Sequence, residues 1–382
     1  MKETLERPSG KAPRQANIEL LRITSMLAVI AMHFLGVGGV MTASTGVWFV
    51  VTSVLYSFLI VATSCYVLIG GYFLATSRFR TGRIFRLLLE FFTYTFGIYL
   101  LFGLVVLIKN GDNLFSWHEF LTFYLFPIVH EENWFVTCYL LMLLFAPFYN
   151  ILLQHLTQSQ HKLLIGICVF LFSVVPSVIW HASGQFLQNG GYTFVWFSTL
   201  YFVAAYFRLY GFPSGARPAV LCGLYVLAAA GTAALVNREF LYPGVLTEEH
   251  NGYYFFFNYN FLTTFAASVA FFALFHYVTI RSAKLGRTIN KVASYSFAVF
   301  LIHTHPAITG ALWNGVVHAE RFVNSPLVFV GILVVPPVLY AVCSLVEQVR
   351  LWFSRPLLES KALNAKFAEW DEKSGFNETT ES

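Results

Sequence analysis

Apolar segments long enough to cross a lipid bilayer recur along almost the whole chain, and this feature limits the fold more than any other. The hydrocarbon core of a membrane is about 30 Å thick, and about 20 helical residues cross it. Helices suit this setting because they satisfy their own backbone hydrogen bonds. We therefore predict an all-α membrane protein with about ten transmembrane helices. The segments are 18–40, 47–74, 84–108, 133–153, 162–181, 192–210, 218–236, 258–280, 293–315 and 325–349.

Composition supports a single membrane domain. Only 11% of the 382 residues are charged and 57% are hydrophobic, whereas about 25% of a soluble domain is charged. Because the polar gaps are short, we predict one membrane domain over 18–350, between polar tails at 1–17 and 351–382. The five cysteines lie within apolar segments and show no CxxC spacing, so we predict neither a disulfide framework nor a zinc site.

The distribution of basic residues predicts the orientation of the helices. If the N-terminus is cytoplasmic and the helices alternate, 21 of the 24 lysines and arginines lie on the cytoplasmic side, and only Lys109, Arg238 and Arg321 lie outside. Both termini are then cytoplasmic. The C-terminal tail is polar and mixed in charge, so we expect it to be partly disordered.

The first helix carries ionisable residues, which are costly inside a membrane and indicate function. Arg22 and His33 are eleven residues apart, which places them on nearly one face and about 16 Å apart along the axis. Glu19 lies one turn before Arg22, within reach of an ion pair. Arg22 alone fits a snorkelling anchor, and His33 alone fits an interhelical hydrogen bond. Together they indicate an anion-binding cation near the surface and an acid–base group at depth.

The third helix begins with a second basic motif. Arg83 and Arg86 are three residues apart, so they lie side by side on the helix, and guanidinium groups match phosphate oxygens well. Glu90 follows Arg86 by four residues and is placed to hold that side chain. The alternative is flanking positive charge, which we expect for Arg78 and Arg80.

Three other features stand out in the apolar segments. His303 falls near the middle of the ninth segment, and Pro306 after it favours a kink. Trp134 opens the fourth segment, where it also fits an interfacial belt. Gly70 and Gly71 would allow another helix to approach closely. HExxH, Walker, GxSxG and GxGxxG motifs are absent, which argues against the enzyme classes that use them.

These residues resemble, in order, four motifs of the acyltransferase 3 family of bacterial multi-pass membrane enzymes. The matching pieces are 17–22 (NIELLR) with His33, 83–86 (RIFR), 133–136 (NWFV) and 296–306 (SFAVFLIHTHP). Two positions differ. Gly70 stands where the family often has Ser, and Phe300 stands where a Tyr usually precedes Leu-Ile-His, so no phenol is expected there.

The resemblance implies an O-acetyltransferase of the bacterial cell membrane. It would move an acyl group, by preference acetyl, from acyl-CoA to a hydroxyl of a cell-surface or lipid-linked polysaccharide. Acetyl-CoA would be a donor substrate, and no permanently bound cofactor, metal or nucleic acid is expected. The resemblance implies catalytic roles for His33, Glu19 and Arg22. It implies that Arg83, Arg86 and Arg22 bind the phosphates of the donor. Supporting roles are implied for Glu90, Trp134 and His303.

Some alternatives remain open at this point. His33 either acts as a general base or carries the acyl group transiently, and His303 either lines the acceptor side or supports His33. Four aromatic residues of the longest outer gaps either stack on sugar rings or mark the membrane interface: Trp117, Tyr242, Tyr253 and Tyr254. The competing function is a transporter or flippase of lipid-linked glycans, which shares the architecture but does not require the Arg–His line and the RxxR motif.

Overall fold

The computed structural model describes residues 15–111, 116–117, 133–178, 189–238 and 253–377, and within these ranges it contains helices and no strand. We number the principal helices in chain order. They are α1 (Ala16–Leu35), α2 (Gly46–Leu59), α3 (Val61–Leu74), α4 (Thr81–Asn110), α5 (Trp134–His155), α6 (Gln158–Val169), α7 (Phe194–Tyr210), α8 (Pro218–Val236), α9 (Leu262–His276), α10 (Ala283–Ala293), α11 (Ser296–His303), α12 (Pro306–Gly310), α13 (Leu327–Leu358) and α14 (Lys361–Lys373).

Seven helical spans among the described residues are long and apolar enough to cross a membrane, which confirms an all-α membrane protein. They are Ala16–Leu35, Gly46–Leu74, Thr81–Asn110, Trp134–His155, Gln158–Val178, Pro218–Val236 and Leu327–Leu358. The other three predicted segments correspond to α7 with 17 residues, to α9 with 15 residues, and to an interrupted helix. The number of ten crossings and the cytoplasmic termini stay predictions.

The predicted kink in the ninth segment is a break between two helices. α11 ends at His303, and α12 begins at Pro306, a position where the missing proline N–H has no cost. His305 caps α12, because the Ala307 N–H donates to His305 Nδ1 at 3.2 Å. A π-helical turn, Ala311–Val316, follows. The break leaves His303 at a helix end within the bundle.

Two adjacent glycines let α3 pack closely on both sides, as predicted. A Cβ atom at Gly70 would lie 3.1 Å from the Tyr139 ring of α5, and one at Gly71 would lie 3.0 Å from the Tyr201 Cα atom of α7. Because the second contact is with backbone, only glycine fits there without a shift of the helices. α3 therefore packs closely against both α5 and α7.

The C-terminal region is more ordered than predicted. α13 continues to Leu358, nine residues past the expected end at 349, and α14 covers Lys361–Lys373. Ser360 caps α14 by accepting the Leu363 N–H at 3.4 Å, and the Phe367 side chain is buried. The expectation of partial disorder was therefore wrong for 361–373, where an apolar anchor fixes the helix.

Candidate active site

Two histidines from distant parts of the chain meet within the bundle. His33 lies near the end of α1, and its Nδ1 atom is 2.9 Å from Nε2 of His303. His303 is fully buried and His33 is half-buried. Of the two places considered for His303, this contact favours the one beside His33.

Hydrogen bonds assign the protons of this pair. His303 Nδ1 is 2.6 Å from the carbonyl oxygen of Val299, and a carbonyl only accepts, so His303 Nδ1 carries the hydrogen. With both rings neutral, His303 Nε2 accepts from His33 Nδ1, and His33 Nε2 keeps its lone pair. Among the described residues, His33 Nε2 has no hydrogen-bond partner. The pair therefore leaves a base at His33 Nε2.

An aromatic wall runs from the histidine pair to the start of α5. The Phe300 ring is 6.2 Å from the His303 ring and 5.3 Å from the Phe135 ring. Trp134 packs against Phe135 and stacks on Tyr259 at 5.6 Å. Trp134, which alone fitted an interfacial belt, thus belongs to a cluster that leads to the histidines.

Arg22 and Glu19 form the ion pair that their spacing predicts. Arg22 Nε is 3.1 Å from Glu19 Oε2, with 26% of the Arg22 side chain and 6% of the Glu19 side chain exposed. The Tyr66 hydroxyl donates to the Arg22 backbone carbonyl at 3.0 Å. Because Glu19 already balances its charge, Arg22 is a weaker anion ligand than an unpaired arginine.

A basic cavity, partly open to the outside, lies between the start of α4 and the side of α5. Arg78, Arg80 and Arg83 line it together with Ser77, and the Arg83 guanidinium donates to the Ser77 hydroxyl at 3.2 Å. The opposite wall consists of Leu143, Ala146, Pro147 and Asn150 of α5. Three guanidinium groups beside an apolar wall suit a polyphosphate that carries a less polar arm.

The arginines that line the cavity differ from the pair that the sequence predicted as phosphate ligands. Arg83 lines the cavity, but Arg86 does not. Arg78 and Arg80, which we expected to be flanking charges, take its place, and all four side chains are exposed. No carboxylate of the described residues pairs with Arg78 or Arg80. The sequence did not place them at the cavity, because they precede α4 in a loop where helical spacing does not apply.

The basic cavity and the aromatic wall beside the histidine pair both contact α5. Phe135 belongs to the aromatic wall, and Tyr139 stacks on it at 6.0 Å. Ala146, which lines the cavity, follows Phe135 by eleven residues, so the two lie on nearly one face of α5. Twelve residues separate Phe135 from Pro147, a distance of about 18 Å along a helix. This separation is close to the one predicted between Arg22 and His33.

Glu90 makes a contact that the sequence did not predict. Its Oε2 atom is 3.8 Å from Arg350 Nη2 of α13, and no ion pair with Arg86 is found in the described part of the chain. The prediction that Glu90 holds Arg86 was wrong, because a better-placed cation arrives from another helix.

Arg350 belongs to a buried network that sequence spacing could not show. Its guanidinium makes two hydrogen bonds of 2.6 Å to Glu347, and Tyr94 donates to the same carboxylate at 2.6 Å. Glu347 is 2% exposed. Glu347 was missed because we placed it at the end of the last segment, whereas α13 carries it well inside a helix. The network joins α4 to α13, and Glu90 lies at its edge.

Of the four aromatic residues of the outer gaps, the structure describes the side chain of Trp117 alone. Trp117 is 68% exposed, Tyr242 lies outside the described residues, and Tyr253 begins a one-turn helix, Tyr253–Phe256. Their role in sugar binding stays a prediction.

Comparison with known proteins agrees with the four motifs and the geometry. A family model described as an acyltransferase domain, acyltransferase 3, matches residues 15–343. The match includes His33, the basic cavity and His303. Searches of curated proteins and of solved structures found no significant match. The chain belongs to the acyltransferase 3 family and is a membrane protein of that family.

Proposed function

We propose that this protein is an O-acetyltransferase of the bacterial plasma membrane, which uses acetyl-CoA to acetylate a hydroxyl of a cell-surface or lipid-linked polysaccharide. The observation that carries the proposal is the His33–His303 pair, which leaves a base at His33 Nε2. Membership of the family supports acyl transfer. The donor, the acetyl group and the acceptor are the proposed parts.

His33 acts as the general base in this proposal. His33 Nε2 takes the proton of the sugar hydroxyl while the hydroxyl oxygen attacks the thioester carbonyl. The carbon–sulfur bond then breaks, and the thiolate of coenzyme A takes the proton from His33. His303 Nε2 accepts from His33 Nδ1 throughout, so it supports the imidazolium that forms in between. His303 is a positioning residue, since it acts through the His33 ring.

The same lone pair also permits a covalent route. His33 Nε2 would attack the thioester itself, and the sugar hydroxyl would then attack the resulting acyl-imidazole. Rapid acid quenching followed by mass spectrometry distinguishes the two routes, because only the covalent route adds the mass of an acyl group to the peptide that contains His33.

The donor fits the basic cavity by charge and by length. Coenzyme A carries a pyrophosphate and a separate phosphate, which match the exposed guanidinium groups of Arg78, Arg80 and Arg83. Its thioester lies at the end of a long, narrow arm. The interval of about 18 Å along α5 is the distance that such an arm would bridge.

The proposal is tested with the full-length protein in lipid nanodiscs. We expect wild type to bind coenzyme A and to hydrolyse acetyl-CoA slowly without an acceptor. His33→Ala should bind coenzyme A but not hydrolyse the thioester, and the double variant Arg78→Ala, Arg83→Ala should lose binding. If well-folded wild type does not bind coenzyme A, the donor assignment is wrong and a transporter of lipid-linked glycans becomes the better interpretation.

A further inference from the structure

The C-terminal segment 361–377 binds the part of the chain that carries the arginines of the basic cavity. α14 and the residues that follow it lie beside the start of α4, and their side chains contact residues 79–85. This segment lies outside the residues that match the family, which end at 343. Its contacts are therefore a feature of this chain that the family match does not explain.

The first contact caps α4 from outside. A helix begins with backbone N–H groups that lack partners, and the N-cap residue of α4, Arg80, provides no side-chain cap. Asp371 of α14 fills this role, because its Oδ1 atom accepts both the N–H and the hydroxyl of Thr81, each at 2.6 Å. The position of Thr81, between Arg80 and Arg83, thus depends on the tail.

The second contact fixes the backbone before α4. The side-chain amide of Asn377 binds both sides of Phe79, with the Phe79 N–H donating to Asn377 Oδ1 at 2.9 Å and Asn377 Nδ2 donating to the Phe79 carbonyl at 3.1 Å. Phe79 lies between Arg78 and Arg80. Two hydrogen bonds to one residue hold its peptide planes in a single orientation.

Aromatic side chains also join the C-terminal segment to α4 and α5. The buried Phe367 ring is 5.1 Å from Phe85, and a Cβ atom at Gly82 would lie 3.1 Å from Phe367. The Phe376 ring is 4.9 Å from Phe148 of α5. The tail therefore contacts both α4 and α5, the helices on either side of the basic cavity, and this burial favours a permanent clamp over a segment that leaves easily.

We propose that the segment 361–377 is a clamp that positions Arg80 and Arg83 for the donor phosphates, with Asp371 and Asn377 as positioning residues. The inference rests on the proposed function, since it gives the clamped arginines a donor. A fixed backbone keeps these side chains at a common spacing, which lowers the entropy that binding a polyphosphate would otherwise cost.

The test compares Asp371→Ala with Asp371→Asn and with Glu369→Ala in full-length protein in nanodiscs. Asn keeps an oxygen that accepts from Thr81, and Glu369 pairs only with Lys373 on the exposed face of α14 in the described chain. We expect Asp371→Ala to raise the Kd for coenzyme A and the KM for acetyl-CoA about fivefold, the effect of losing a helix cap. The kcat of thioester hydrolysis should stay unchanged. Asp371→Asn should restore most of the binding.

Two results would overturn the clamp. One is a Kd for Asp371→Ala equal to that of Glu369→Ala, and the other is tighter binding, which would mean that the tail competes with the donor. Amide hydrogen exchange at Thr81 and Gly82 gives a readout without any donor, and it must become faster in Asp371→Ala. If wild type does not bind coenzyme A, the donor assignment fails, and the exchange rates alone then decide whether the tail holds α4.

Discussion

The histidine pair lies beside the aromatic wall at the start of α5, and the basic cavity lies further along the same helix. Their polar groups are held in opposite ways. His303 is fully buried, and its two ring nitrogens bind Val299 and His33. Arg78 and Arg80 are exposed and have no ion-pair partner among the described residues. One region is fixed by a chain of hydrogen bonds, and the other is left open.

The difference follows from what each region would bind. A general base needs one tautomer and one ring orientation, which a buried chain of hydrogen bonds provides. A flexible, highly charged phosphate group needs accessible cations, and exact placement of each cation matters less. Removing a partner from the buried chain should therefore cost more than removing one of several exposed charges.

The replacement of His33 should have the largest effect. We expect His33→Ala to lower acyl transfer about 10²- to 10⁴-fold, because the reaction loses its base, while the Kd for coenzyme A stays unchanged. The measurement is transfer from acetyl-CoA to an extract of surface polysaccharide. His155→Ala is the matched control, since His155 is exposed and binds only its own helix at Ile151 among the described residues. Full activity of well-folded His33→Ala would contradict the mechanism.

The replacement of His303 tests the hydrogen-bond chain itself. His303→Ala leaves His33 Nδ1 without its acceptor, and we expect kcat to fall about 10- to 100-fold, the effect of a hydrogen bond of about 1.5–3 kcal/mol to a charged group. His303→Gln has an oxygen that can accept from His33 and should recover part of the loss. Equal activities of the alanine and glutamine variants would show that His303 does not act through this bond.

The replacement of the arginines should change KM and leave kcat nearly unchanged. We expect Arg83→Ala to weaken coenzyme A binding about tenfold, the effect of one charge-assisted hydrogen bond, and Arg78→Ala to act in the same direction. Arg86→Ala is the control, because Arg86 does not line the basic cavity. If Arg86→Ala had the largest effect of the three, the RxxR motif would bind the donor in a way that this cavity does not explain.

Varying the salt concentration tests the difference between the two regions without any substitution. Exposed charges are screened within about 8 Å at 0.15 M salt, whereas the buried His33–His303 contact is shielded from ions. We expect the KM for acetyl-CoA to rise with salt and kcat at saturating donor to stay constant, as measured by thioester hydrolysis. A kcat that falls as steeply as the affinity would mean that the two regions are not separate.

The sequence predicted the elements of both regions better than their contacts. Hydrophobic length identified the helices, and spacing within one helix correctly paired Arg22 with Glu19. The same rule failed for Glu90, because Arg350 reaches it from a helix that is 260 positions away in the chain. Helical spacing describes neighbours on one helix, and no spacing rule brings His33 to His303.

The contacts made by the loop before α4 and by the C-terminal tail were not predicted, for a related reason. Arg78 and Arg80 were set aside as flanking charges, because nothing in a loop sequence shows which wall it will face. The tail was expected to be partly disordered from its polar composition, yet a few side chains dock it, among them the buried Phe367 and the capping carboxylate of Asp371. Composition averages over a segment, whereas docking depends on a few side chains.

The smallest expected effect concerns α3, which runs between the two regions. A Cβ atom at Gly71 would lie 3.0 Å from the Tyr201 Cα atom, so Gly71→Ala must push α3 away from α7. We expect it to lower the free energy of unfolding by about 1–3 kcal/mol, measured by thermal unfolding in nanodiscs. Gly70→Ala meets only side chains of α5 and should cost less. Gly97→Ala, which would meet nothing within 4 Å among the described residues, is the control.

Because α3 contacts the helices that carry both regions, a shift of α3 should change KM and kcat together, unlike any substitution within one region. A Gly71→Ala variant that changed only one of them would show that α3 supports only that region.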